Sequence, residues 1–128
     1  MNMTGGAIQN NTITNPTPDG IYYGGAGISN GGTTDISGGV ISGNLVTDYG
    51  GGGISNERGT VTLRGDAVVR DNTAAWGGGV ATIGAKTVLS ENASITENQS
   101  QRNGAGVYLE GFSNFDNVPG VFEMTGGS

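Results

Sequence analysis

The chain contains no cysteine and no histidine. The first absence excludes a disulfide framework and a thiolate metal site, and leaves the redox compartment without a marker. The second excludes an ordinary Ser-His-Asp or Cys-His nucleophile and a histidine-based metal site, so only carboxylates remain for acid–base work. Positive charge is scarce too: five Lys+Arg stand against eleven Asp+Glu, for a formal net charge of −6. The basic footprint of a nucleic-acid or anionic-membrane binder is therefore missing. No apolar run approaches the ~20 residues of a membrane span. The opening Met1-Asn2-Met3-Thr4-Gly5-Gly6 has neither the basic nor the apolar region of a signal peptide. Neither nucleic acid nor membrane insertion is expected.

What is abundant is glycine, 27 of 128 residues, roughly three times its usual ~7% share. Composition alone would read as a disordered linker, but the order of the residues argues otherwise. A small-x-Gly-aliphatic phrase returns four times: Gly25-Ala26-Gly27-Ile28, Gly51-Gly52-Gly53-Ile54, Gly77-Gly78-Gly79-Val80 and Gly104-Ala105-Gly106-Val107, at intervals of 26, 26 and 27. A fixed period in a chain without heptads marks stacked copies of one supersecondary unit. A second phrase, an aliphatic residue three places before asparagine, precedes each glycine phrase: Ile8 to Asn11, Ile41 to Asn44, Val69 to Asn72 and Ile95 to Asn98. A third carries an alternating inward pair: Thr34 and Ile36, Val61 and Leu63, Thr87 and Leu89, Phe122 and Met124.

Equivalent strands lie a whole period apart, which excludes hairpins and leaves parallel ladders, each turn ~4.8 Å above the last. The expected fold is all-β: a right-handed parallel β-helix, or β-solenoid, of about four rungs of about 26 residues with three short parallel sheets. Residues 1–128 form a single domain, expected to be a segment of a longer solenoid because Met1 to Gly6 and Phe122 to Gly127 share one phase. That shared phase also suggests head-to-tail self-association through unpaired edges. Ile8, Ile41, Val69 and Ile95 should form one interior column, and Ile28, Ile54, Val80 and Val107 another. Paired glycines such as Gly5-Gly6 and Gly38-Gly39 mark a corner, where Asp66 and Asn92 take the equivalent left-handed place in later rungs. One extra residue enters that corner in Gly65-Asp66-Ala67-Val68-Val69 and in Glu91-Asn92-Ala93-Ser94-Ile95, a bulge. Two insertions, around residues 15–22 and 112–120, should be surface loops.

Gly5-Gly6-Ala7-Ile8, Gly38-Gly39-Val40-Ile41-Ser42-Gly43-Asn44 and the repeated Gly-Gly-Gly-Val/Ile resemble the repeats of right-handed parallel β-helix surface proteins of bacteria. The polymorphic outer-membrane-protein-like and adhesin-like repeats are nearest. The family's Phe-x-x-Asn element stands here as Ile/Val-x-x-Asn. The resemblance implies an extracellular or bacterial cell-surface location, an adhesive stalk, and a fold shared with pectate-lyase-like enzymes.

Candidate chemistry is sparse. Asp71 and Glu97 hold one phase on adjacent rungs beside Arg70, near the ~5–5.5 Å carboxyl separation of retaining glycosidases. A solvated acidic face is the simpler reading, since no apolar pocket nearby in sequence would raise one carboxyl's pKa. Arg58, Arg64, Arg70 and Arg102 share no phase with an aspartate trio, which weighs against a calcium-dependent lyase. Arg64-Gly65-Asp66 spells an integrin-type tripeptide, but the corner already demands its glycine. No catalytic residue, metal site or cofactor is expected. The most suggestive surface feature is Tyr23, Tyr49 and Trp76, spaced 26 and 27 apart and each just before a glycine phrase. Such rings, stacked along one edge, would serve as a platform for sugar rings or as a structural ladder over a corner. Asn11, Asn44, Asn72 and Asn98 form a structural column, because an amide carries both donor and acceptor and bonds to its copy one rung away. The expected function is a non-enzymatic structural or adhesive segment of a bacterial surface or secreted protein, with a glycan or host-surface ligand. The alternative is a fragment of a carbohydrate-active β-helix enzyme, of polysaccharide-lyase or glycoside-hydrolase type.

Overall fold

A computed structural model describes residues 1–14, 24–111 and 118–128. Every regular element in it is a strand. The first turn holds β1 (Asn2–Gln9), β2 (Thr12–Ile13) and β3 (Ile28–Asn30), and the second β4 (Thr33–Ser42), β5 (Leu45–Val46) and β6 (Ile54–Asn56). The third holds β7 (Thr60–Leu63), β8 (Val68–Arg70), β9 (Thr73–Trp76) and β10 (Val80–Ile83). The fourth repeats this with β11 (Lys86–Leu89), β12 (Ser94–Thr96), β13 (Gln99–Asn103) and β14 (Val107–Glu110), and β15 (Val121–Met124) opens another. All pairings are parallel, between strands one turn apart. This is the expected parallel β-solenoid, and the four glycine phrases lie in register on one sheet of order β14-β10-β6-β3.

The interior columns follow the sequence period. Ile8 faces Ile41, Ile41 faces Val69 and Val69 faces Ile95, while Ile28, Ile54, Val80 and Val107 align on the glycine-phrase sheet. In the first column the mid-stack members are closed to solvent and the end members are not: Ile41 and Val69 are 1% and 0% exposed, whereas Ile8 and Ile95 are half-buried. Three sheets are present, but the strands share them out differently from the expectation. The alternating-pair strands and the aliphatic strands join in one seven-stranded sheet, because β1 and β4 run through the Gly5-Gly6 and Gly38-Gly39 corner without a break. The third sheet, β13-β9-β5-β2, comes from the short stretch after each ladder asparagine, which has only two paired residues in early turns and so little alternation to read.

The extra corner residue is present. Ile36 pairs with Leu63 and Val40 with Val68, so three residues on one turn stand against four on the next, and the long strand of the second turn splits into β7 and β8. The left-handed residue there is not Asp66 or Asn92 but the one before each: Gly65 has φ 58° and Glu91 φ 58°. A second left-handed column, Asn10, Gly43, Asp71 and Glu97, immediately precedes the four ladder asparagines, with φ of 59°, 65°, 54° and 56°. Each of these residues turns the chain so that the following amide enters the interior.

The glycine phrase answers two demands. Its first residue is left-handed in every turn, with φ from 57° to 72° at Gly25, Gly51, Gly77 and Gly104. Its third residue faces the aliphatic and asparagine columns across a narrow interior. The middle position is filled by Ala26 and Ala105 in the end turns, whereas a Cβ on Gly52 would lie 2.6 Å from the carbonyl oxygens of Gly78 and Thr73.

Met3, Ile36, Leu63, Leu89 and Met124 share one column, so β1 and β15 occupy the same phase at opposite ends. Residues 122–128 thus duplicate the place of residues 1–7.

Candidate functional site

The asparagine ladder is continuous. Nδ2 of Asn11 donates to Oδ1 of Asn44 at 2.9 Å, Asn44 to Asn72 at 2.9 Å and Asn72 to Asn98 at 3.0 Å. The backbone N–H of each of the first three donates to the same oxygen, at 3.0 to 3.1 Å. The other Nδ2 hydrogen closes back on the turn below: Asn44 to the Ile8 carbonyl, Asn72 to Ile41 and Asn98 to Val69. Asn44 and Asn72 are therefore saturated as donors and accept twice, and among the described residues no buried side-chain nitrogen or oxygen lacks a partner.

A second polar column lies between the glycine-phrase sheet and the next strand. Asn30 donates to Asn56 Oδ1 at 2.9 Å, and Asn56 to Thr87 Oγ1 at 3.1 Å. Thr34 donates to Asn30 Oδ1 at 2.9 Å, and the hydroxyls of Thr82 and Thr87 are 2.8 Å apart. The repeated Ile28-Ser29-Asn30 and Ile54-Ser55-Asn56, 26 residues apart, was the sequence signal for it.

Tyr23 lies outside the described residues. Tyr49 and Trp76 do meet, but edge to face, with ring centroids 6.5 Å apart and planes at 83°. They are not stacked in one column because their spacing of 27 exceeds the local period by one residue. Gly50, not Tyr49, stands opposite Trp76, and the Ala75 N–H donates to the Tyr49 carbonyl. The Arg102 guanidinium lies 4.7 Å from the centroid of the Trp76 ring, a cation–π contact.

Beside these rings is a groove of about 260 Å³ lined by Tyr49, Gly50, Trp76, Ile83, Tyr108 and Glu110. Small residues lie beneath it. Ser55 pairs with Ala81 and Ala81 with Tyr108 on the outer face of the glycine-phrase sheet, and Ser55 and Ala81 are both fully buried. Gly50 lets the layers close, since a Cβ there would lie 3.1 Å from that of Ala81. Tyr108 and Glu110 alternate on one face of β14, so both point into the groove, and Glu110 stands opposite Ile83. Burial, then the charges of Glu57 and Glu110, push the Tyr49 phenol above its usual range, and burial with Glu110 does the same to Tyr108. Tyr108, Glu110 and Arg102 were missed in the sequence. The signal was the break from Ser29, Ser55 and Ala81 to tyrosine at a single phase.

The other candidates disperse. Asp71 and Glu97 both sit in the left-handed column, and Asp71 is ion-paired with its neighbour Arg70. The Arg64 of Arg64-Gly65-Asp66 is held by two bonds to Asp35, Nε to Oδ1 at 2.9 Å and Nη2 to Oδ2 at 2.8 Å, so its guanidinium is already engaged within the chain. Among the described residues no group of three or more acidic side chains is placed to hold a metal ion.

The Asp35–Arg64 pair makes a pH-dependent contribution. The bonds from Arg64 hold the Asp35 carboxyl below its ordinary value of 3.8. Its stabilisation is therefore fully present above 3.8 and is lost as pH falls through the lower folded value. Asp35→Asn is expected to melt slightly lower than the parent at neutral pH, the effect being small for so exposed a pair. The gap should close in strong acid, and a gap that persists there in melting curves would show that the ion pair is not its source.

No protein-family model, no curated protein and no solved structure matches the chain.

Proposed function

We propose that the chain is a non-enzymatic structural or adhesive β-solenoid segment of a bacterial cell-surface or secreted protein, and that it binds glycans through the groove of Tyr49, Trp76 and Tyr108. The observation that carries this reading is three aromatic side chains gathered around one groove, in a stack that otherwise repeats small polar ones. Aromatic rings with polar tips offer apolar faces to the C–H side of a sugar and hydroxyls to its rim. At about 260 Å³ the groove is below the ~300–1,000 Å³ of drug-sized sites, and so suits one residue of an extended chain rather than a whole small molecule. The stack itself supplies rigidity, since every turn is fixed by main-chain ladders and two polar columns.

A glycan array probed with the parent and with Tyr108→Ala tests the reading. The parent should retain a defined set of glycans and the variant should lose them while keeping its melting temperature, because Tyr108 is only partly buried. Unchanged retention by Tyr108→Ala would move the binding away from this groove.

A further inference from the structure

The charges around the groove choose among glycans. Ser55, Ala81 and Tyr108 align across three successive turns, and two residues on from each stand Glu57, Ile83 and Glu110. Ile83 faces Glu110 directly, and Glu57 follows the Asn56–Thr82 pair by one position on the other side. A carboxylate thus lies one turn above and another one turn below a buried isoleucine, roughly 10 Å apart at ~4.8 Å per turn. Ser55 Oγ donates to Glu57 Oε1 at 3.1 Å, which anchors the lower carboxylate. The cation at this edge is the chain's own Arg102, which rests on the Trp76 face.

We infer that the groove selects glycans bearing a protonated amine, such as chains of 2-amino-2-deoxy sugars, over neutral or acidic ones. This rests on the glycan reading of the same groove and adds the ligand's charge to it. The sugar's apolar face lies against Tyr49 and Tyr108, and its ammonium is placed over Ile83 between Glu57 and Glu110. There two carboxylates attract it. Uronic or sialic acids meet the reverse: Glu110 in the groove lining and the charge of Glu57 acting on Tyr49, on a chain whose net charge is −6.

The test titrates the full chain, at low salt and at a pH where the amines are protonated, with three oligosaccharides of equal length. These are oligoglucosamine, its fully N-acetylated counterpart and oligogalacturonate. Binding is followed by calorimetry and by Trp76 fluorescence. The amine form is expected to bind about tenfold or more tighter than the acetylated one, with an advantage that shrinks as salt rises. Glu110→Gln, an exposed and conservative change, should reduce that advantage while leaving residual binding of the acetylated form. Equal binding of the amine and acetylated forms would overturn the inference and leave the glycan reading standing. Tightest binding of the galacturonate would overturn it likewise. Failure of all three, with Trp76 emission unmoved, would overturn both.

Discussion

Asn72→Leu is expected to lose about 3–5 kcal/mol of folding stability, because it leaves several buried groups unpaired at once. Asn72 is 0% exposed. Its Oδ1 accepts from both the backbone N–H and the Nδ2 of Asn44, at 3.0 and 2.9 Å. Leucine has the same branching but a larger volume and no acceptor, so both Asn44 donors are stranded in the interior. On the other side the Ile41 carbonyl and Asn98 Oδ1 each lose the Nδ2 donor they now have. Burying more hydrocarbon does not compensate, since the site is already dry and filled. Against a typical total of about 5–15 kcal/mol, a loss of this size lowers Tm by roughly 10–20 °C. Asn11→Leu, at the exposed end of the same column, is the matched control and should shift it far less. Equal effects at the two positions would mean that the burial of the stranded groups does not set the contribution of the ladder.

Gly53→Ala is expected to destabilise by about 3 kcal/mol or more, a large effect for one methyl group. The new Cβ would lie 2.6 Å from the Gly79 carbonyl oxygen, 2.9 Å from Val69 Cγ1 and 3.0 Å from Asn72 Nδ2. The first contact is backbone, which cannot swing aside, so β6 and β10 must separate locally, at the height where Asn72 bonds the turns together. Gly31→Ala provides the contrast. A Cβ there meets nothing within 4 Å, and stability should stay within about 0.5 kcal/mol of the parent. Denaturant unfolding of the two variants measures the difference directly, and a Gly53→Ala protein as stable as Gly31→Ala would show that the turns are less tightly spaced than described.

In a stacked repeat, residues of equal phase occupy equal places, so whatever recurs at about 26 residues converts directly into a column. That is why the aliphatic columns, the Asn11-Asn44-Asn72-Asn98 ladder, the common sheet of the four glycine phrases and the extra residue at Asp66 and Asn92 were legible in the amino-acid sequence. What does not recur carries no such information. Whether the Gly38-Gly39 corner breaks a strand or bends it depends on contacts with the turn beneath, so the grouping of strands into sheets was a tertiary outcome. A single added residue between Tyr49 and Trp76 rotated one ring out of the other's column, turning an expected row into an edge-to-face pair. The groove was set by Tyr108, found at its phase in one turn only, together with Glu110 and the Tyr49–Trp76 pair, whose positions depend on side-chain packing across neighbouring strands. Periodicity determined the scaffold, and the unrepeated side chains, placed only by the tertiary structure, determined the site.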